Sequence, residues 1–132
     1  MYDISLRTIV DSLISIIGSI FTFIFGGWDI ALKVLIVLMI VDYLSGLNVG
    51  RKQHKINSHT SYNGLKRKLY IMYMLILAVM LDRILGFHVV YFRSLVCYFY
   101  ITNESISILE NCGKAGLPLP QRLMNILEQL KK

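Results

Sequence analysis

Apolar residues in this chain are gathered into four long runs, covering about residues 8–26, 28–47, 69–85 and 88–109. Each run is long enough, or nearly so, for a helix that crosses the roughly 30 Å hydrocarbon layer, which takes about 17–25 residues. "GGWD" separates the first two, the polar stretch 48–68 separates the second and third, and Gly86 marks a turn before the fourth. A different pattern closes the chain over residues 117–132, "LPLPQRLMNILEQLKK". Pro118 and Pro120 stop what precedes them. Leu119, Leu123, Ile126, Leu127 and Leu130 then line one face of a short amphipathic helix suited to a membrane surface. The pattern predicts an all-α membrane protein in a single domain spanning 1–132, with four hydrophobic helices and a C-terminal amphipathic one. Three or four of the helices are expected to be transmembrane, depending on whether the first crosses or lies in the interface.

The first run carries a second pattern inside it. Thr8, Ser12, Ser15, Ser19, Thr22 and Gly26 recur at alternating steps of four and three, which puts small and weakly polar residues on one helical face. Small residues let membrane helices approach closely, and hydroxyls can bond across the contact. Two readings stay open for this stripe: a helix contact inside the monomer, or an oligomer face that meets water when subunits rearrange. Near the end of the fourth run, Asn103, Glu104, Ser107, Glu110 and Asn111 also fall on one helical face. That face is a candidate for contact with water or another subunit.

Composition agrees with a bilayer setting. The chain is 55% hydrophobic and 17% charged, with a mean hydropathy of +0.58, whereas a soluble domain of this size needs more polar surface. The net charge of +6 is local: Arg51, Lys52, Lys55, Lys66, Arg67 and Lys68 lie within residues 51–68, with no acid among them. Such a cluster between apolar spans reads as a cytoplasmic loop rather than a nucleic-acid surface. It places the C-terminus in the cytoplasm as well and makes the protein multi-pass in the cytoplasmic membrane. Cys97 and Cys112 would stand about 22 Å apart on one helix, too far for a disulfide. Their spacing supports no metal site. Asp3 and Asp11 occupy the flank where a signal peptide carries basic residues, so the first segment is expected to be retained.

Among the ionisable groups inside the runs, Lys33, Asp42, Asp82 and Glu104 are the candidate intramembrane charges. Each costs about 2.5–3.5 kcal/mol at a helix centre unless it finds a partner. At 1.5 Å per residue, Asp42 and Glu104 reach about 20 and 24 Å from the outer face, near the level of Lys66, Arg67 and Lys68. Lys33 and Asp82 lie together near the opposite face. The expectation is therefore pairing of Asp42 and Glu104 with the basic segment, and of Lys33 with Asp82. A proton or ion path through the carboxylates is the weaker alternative. No nucleophile, base and acid come together, and His54, His59 and His88 lack paired acids, so neither a catalytic site nor a cofactor is expected.

Four motifs, "DYLSG" (42–46), "NSHTSYNGLKRK" (57–68), "NESISILEN" (103–111) and "GLPLP" (116–120), stand in this order. In these the chain resembles the toxin-secretion/phage-lysis holin family of Gram-positive bacteria and their phages, over about residues 28–130. The resemblance implies a small non-enzymatic protein that oligomerises in the cytoplasmic membrane. It then opens lesions through which an endolysin, or in some bacteria a large toxin, leaves the cell. The expected partners are further copies of the chain and the lipid bilayer, with endolysin or toxin served without stable contact, and no nucleic acid. An antiholin or a small ion channel are the alternatives. The motifs mark the family and assign no residue a role.

Overall fold

The computed structural model describes residues 5–54, 58–86 and 91–131. Five helices follow one another: α1 (Leu6–Phe25), α2 (Ile30–Lys52), α3 (Ser58–Ile84), α4 (Tyr91–Lys114) and α5 (Gln121–Lys131), with no strand among the described residues. Local chemistry sets the first boundaries. Ser5 caps α1 by accepting from the Thr8 amide at 3.3 Å, and Asp29 caps α2 by accepting from the Leu32 amide at 3.1 Å. Gly26 ends α1 in the left-handed region (φ +80°) and donates its N–H to the Thr22 carbonyl at 2.8 Å.

That glycine is required twice over. A Cβ there would stand 2.9 Å from Cδ and Nε of Arg93, in a backbone conformation that costs other residues about 1–2 kcal/mol. Gly26→Ala should therefore lower stability by at least about 1 kcal/mol, read as a lower melting temperature in detergent. Gly18→Ala, which would meet nothing within 4 Å, is the comparison variant expected to melt no lower than the parent.

Helices α2, α3 and α4 form the packed unit, with α4 wedged between the other two. Each presents a seam of residues at alternating steps of three and four, the spacing that keeps one line of side chains facing a neighbour. The seam of α2 carries Leu32, Leu35, Met39, Asp42 and Val49. That of α3 carries Lys68, Ile71, Leu75, Ala78 and Asp82, and that of α4 carries Arg93, Cys97, Tyr100, Glu104, Ser107 and Asn111. Leu32, Leu35, Met39, Ile71, Leu75 and Cys97 make the apolar core. Removing such residues from contact with solvent or loose lipid matters less in a membrane than close packing does, because the tails are as apolar as leucine.

The helices outlast the apolar runs. α2 continues to Lys52 and α3 begins at Ser58, so the stretch 48–68 is mostly helix and only its middle is a connection; Lys55 lies outside the described residues. An apolar run stops where lipid would stop, but a helix stops where its ends can be capped or broken, and nothing breaks it earlier. The start of the fourth run, including His88, also lies outside the described residues.

α1 is attached differently. Every residue from Ser5 to Ile20 is exposed, and only its last turn is held. There Phe21 and Phe25 stack at 4.7 Å and lean on the core, and Arg83 of α3 sits 4.6 Å from the Phe23 ring while donating to the Phe23 carbonyl at 2.9 Å. α5 stands after the prolines with Leu127 buried, and Leu119 packs on α4 close to Gly113. Lys52 reaches from the end of α2 to the Ala115 carbonyl at 2.8 Å and so closes the C-terminal end of α4.

Among the described residues two helices, α1 of 20 residues and α2 of 23, are long and apolar enough by themselves to cross a membrane. That is fewer than the three or four expected. α3 and α4 are interrupted by charged residues, and of these Lys68, Asp82, Arg93 and Glu104 are turned inward, as follows.

Candidate functional site

The packed unit holds two charged layers with the apolar core between them. On α4 they are eleven residues apart, from Arg93 to Glu104, about 16 Å at helical rise. Both layers therefore fit within the hydrocarbon thickness if the unit is embedded. Lys68 is 9%, Asp82 4%, Glu104 2% and Arg93 1% exposed. No buried side-chain nitrogen or oxygen among the described residues lacks a hydrogen-bond partner. This is the condition for keeping polar groups out of water, where each unsatisfied one costs several kcal/mol.

The first layer centres on Lys68. Its ammonium donates to Asp42 Oδ2 and to Glu104 Oε2, both at 2.7 Å, joining all three helices. The other oxygen of Asp42 accepts from the Ser107 hydroxyl and from the Asn111 amide at 3.2 Å; the same amide nitrogen lies 2.9 Å from Ser45 Oγ. Asp42 is thus held from α3 by charge and from α4 by two neutral donors. Two carboxylates face one ammonium here, which makes the lysine the member that neither neighbour can lose.

The second layer centres on Arg93. Its guanidinium makes a bidentate pair with Asp29, donates through Nε to the Phe25 carbonyl at 2.6 Å and through Nη2 to the Gly27 carbonyl at 3.0 Å. The flat fork of arginine suits such a set of planar acceptors, and lysine could not make it. One side chain of α4 therefore clasps the turn between α1 and α2. Asp82 works alongside: its two oxygens accept from the backbone amides of Phe92 and Arg93 at 2.8 and 3.0 Å, so α3 caps the start of α4.

The sequence-predicted residues are distributed as follows. Asp42 and Glu104 meet in the basic segment's Lys68. Lys33 and Asp82 do not meet: Lys33 lies one position off the α2 seam, is exposed, and sits 6.0 Å from the Trp28 ring, while Asp82 is engaged by α4 amides. Rotation about the helix sets them apart: Asp82 lies on the α3 seam and Lys33 off that of α2. Of the five polar residues near the end of α4, Glu104, Ser107 and Asn111 turn inward onto the first layer. Asn103 is half-buried, and Glu110 lies towards α5 beside Lys114 and Glu128. They do not form one outward face. Ser12, Ser15, Ser19 and Thr22 are all exposed along α1, and the three serine hydroxyls donate to carbonyls four residues earlier at 2.8 Å. Such back-bonding satisfies the hydroxyl inside its own helix, so the stripe can face lipid at small cost.

Asp29 and Arg93 escaped notice as partners from sequence. The available signal was the spacing of Arg93, Cys97, Tyr100 and Glu104, which sets the arginine on the same seam as the buried glutamate. Its partner lies in a turn and belongs to no periodic pattern.

A bundle whose charges are paired inside, beneath an outer surface rich in exposed Leu, Ile, Tyr and Phe, defines a helical membrane-associated protein. Sequence comparison narrows this: the bacteriophage holin family model matches residues 19–132, and the chain belongs to that family. Among its relatives are an uncharacterized 14.9 kDa protein of the nagH 3' region of Clostridium perfringens, 46% identical over 86% of each chain. An uncharacterized protein of Clostridium acetobutylicum is 40% identical over 83% of this chain and 88% of its own. One from Listeria monocytogenes is 36% identical over 83% and 78%. No solved structure matches the chain.

Proposed function

We propose that the protein acts as a holin: copies associate in the bacterial cytoplasmic membrane and open lesions that release an endolysin or a large toxin. The observation that carries this reading is α1, an apolar helix exposed from end to end except at its last turn and marked by a line of hydroxyls. Such a helix has a free surface for a second copy, and small residues allow close approach. On this reading α3 and α4 cross the membrane along with α2. Their buried charges are paired or hydrogen-bonded within the bundle, and lipid meets residues such as Leu69, Tyr73, Leu77, Leu95 and Phe99. α1 supplies a fourth crossing when it spans. The basic segment 51–68 and the C-terminus then face the cytoplasm. The proposal involves no catalytic step, no cofactor and no nucleic acid, and endolysin or toxin passes without stable contact.

Above a critical density, hydroxyl stripes from several α1 helices would line a shared wet surface instead of lipid. Replacing Ser15 and Ser19 together by Leu should delay or abolish lysis in cells that also make a cytosolic endolysin, with membrane insertion retained. Culture density, membrane potential and release of a folded cytoplasmic reporter are followed after induction. Abrupt lysis with reporter release by the parent chain supports a holin. Loss of potential without reporter release would indicate a small channel, and delay of another holin's lysis would indicate an antiholin. Unchanged timing in the double variant would remove α1 from the mechanism.

A further inference from the structure

α4 wedges α2 and α3 apart, and the gap this leaves on the other side is open. It is occupied by two adjoining hollows that share Tyr43 and Lys68 as walls. One, of about 240 Å³, is polar and lies towards the α2–α3 connection, lined by Gly46, Gly50, Ser61, Gly64 and Arg67. Its neighbour, of about 380 Å³, is an apolar groove formed by Ile36, Met39, Ile40, Leu44, Leu65 and Met72. The groove lies within the range usual for a small-molecule site, about 300–1,000 Å³, and the polar hollow just below it.

The two helices run in opposite directions, yet they agree on the gradient. On α2 the polar hollow takes residues 42–50 and the groove 36–44; on α3 the polar hollow takes 60–68 and the groove 65–72. Polar lining lies at the basic end and apolar lining at greater depth, along about 20 Å of helix. A phospholipid has the same order of parts. On the membrane-spanning reading proposed above, on which this inference rests, α2 sets the groove at acyl-chain depth, and an acyl chain is the occupant that fits its apolar lining.

Charge selects the headgroup. The acid in the hollow, Asp42, is already engaged by Lys68, Ser107 and Asn111. Arg67 is exposed, with no ion pair among the described residues, and is the cation left to meet a ligand. The glycines keep the hollow open: a Cβ on Gly64 would lie 3.6 Å from the Tyr43 ring, at the wall between the two compartments. We propose that this cleft binds one anionic glycerophospholipid, with its phosphate on Arg67 and the Ser61 hydroxyl and an acyl chain in the Ile36–Met72 groove.

The full chain in non-ionic detergent, titrated with phosphatidylglycerol or phosphatidylcholine and read by native mass spectrometry, tests this. One phosphatidylglycerol should be retained per chain, about tenfold or more tighter than phosphatidylcholine, whose phosphate is the same but whose choline cation opposes Arg67. Arg67→Gln should bring the two lipids level, whereas Lys66→Gln, an exposed cation outside the cleft's lining, should keep the preference. Gly64→Leu should weaken both lipids, with helicity by circular dichroism showing that each variant is folded. Equal retention of the two lipids by the parent overturns the proposal, as does equal loss in Arg67→Gln and Lys66→Gln. Competition by soluble glycerol 3-phosphate as effective as the lipid itself would also overturn it, since the groove would then contribute nothing.

Discussion

Replacing Lys68 by Met should cost the fold about 3–5 kcal/mol, the range for removing one partner of a buried ion pair. The methionine fills much of the lysine's volume, so the loss is electrostatic. Asp42 and Glu104 would be left facing each other, both turned into the bundle, with only Ser107 and Asn111 as donors to Asp42. The expected signs are a much lower melting temperature in detergent and little full-length protein in membrane fractions. Lys66→Met, two residues away and exposed, should change stability by no more than about 0.5 kcal/mol.

Neutralising the carboxylates supplies the control. Lys68→Met combined with Asp42→Asn and Glu104→Gln removes all three charges, and a neutral layer of similar shape should recover most of the stability. Recovery would identify unpaired charge as the defect. Were Lys68→Met as stable as the parent, the layer would not hold the three helices together, and Glu104, Ser107 and Asn111 would again be available as an outward polar face.

The second large effect is expected at Arg93. Met at this position loses the Asp29 pair and both carbonyl contacts at the α1–α2 turn. Asp29 itself is 47% exposed and can rehydrate, so the cost should be about 2–3 kcal/mol, that of hydrogen bonds to a charged group. Its local consequence is more specific. α1 is held only at its last turn, and Arg93 supplies much of that hold; the turn's Trp28, the one tryptophan of the chain, packs edge-on against Phe21 at 5.6 Å. Arg93→Met should therefore shift Trp28 emission and expose α1 to proteolysis before the rest of the bundle unfolds. Arg93→Lys should restore charge without the fork and recover only part of the hold. An unchanged Trp28 signal in Arg93→Met would mean that Arg83 and the Phe21–Phe25 contact suffice to dock α1.

These two residues also mark the limit of what a linear pattern reveals. Helix identity was legible along most of the chain because an apolar run of this length has few alternatives to a helix in a bilayer, where every backbone group must bond within its own segment. Depth was legible too, since rise per residue fixes how far along the normal a charge lies, and it brought Asp42, Glu104 and Lys68 to one level. Termini were less so: α2 and α3 continue into the basic stretch because capping ends a helix, not loss of hydropathy. The hydroxyl stripe of α1 was visible as a pattern, and its exposure was not.

What the sequence determined by itself, then, is an α-helical membrane-associated chain with the motifs of its family, a basic segment between two long helices and charges that had to find partners. The tertiary structure decided who the partners are. A shared level along the membrane normal leaves the rotation of each helix open, and only the packing of the α2, α3 and α4 seams turned Lys68 to two carboxylates and Lys33 outward. It likewise spent the polar face of α4 inside the bundle, brought Arg93 to an acid in a turn, and left a graded cleft between α2 and α3. Helix geometry is local and follows from consecutive residues, whereas contacts between helices depend on side chains that lie up to about 70 positions apart in the chain and meet only on folding.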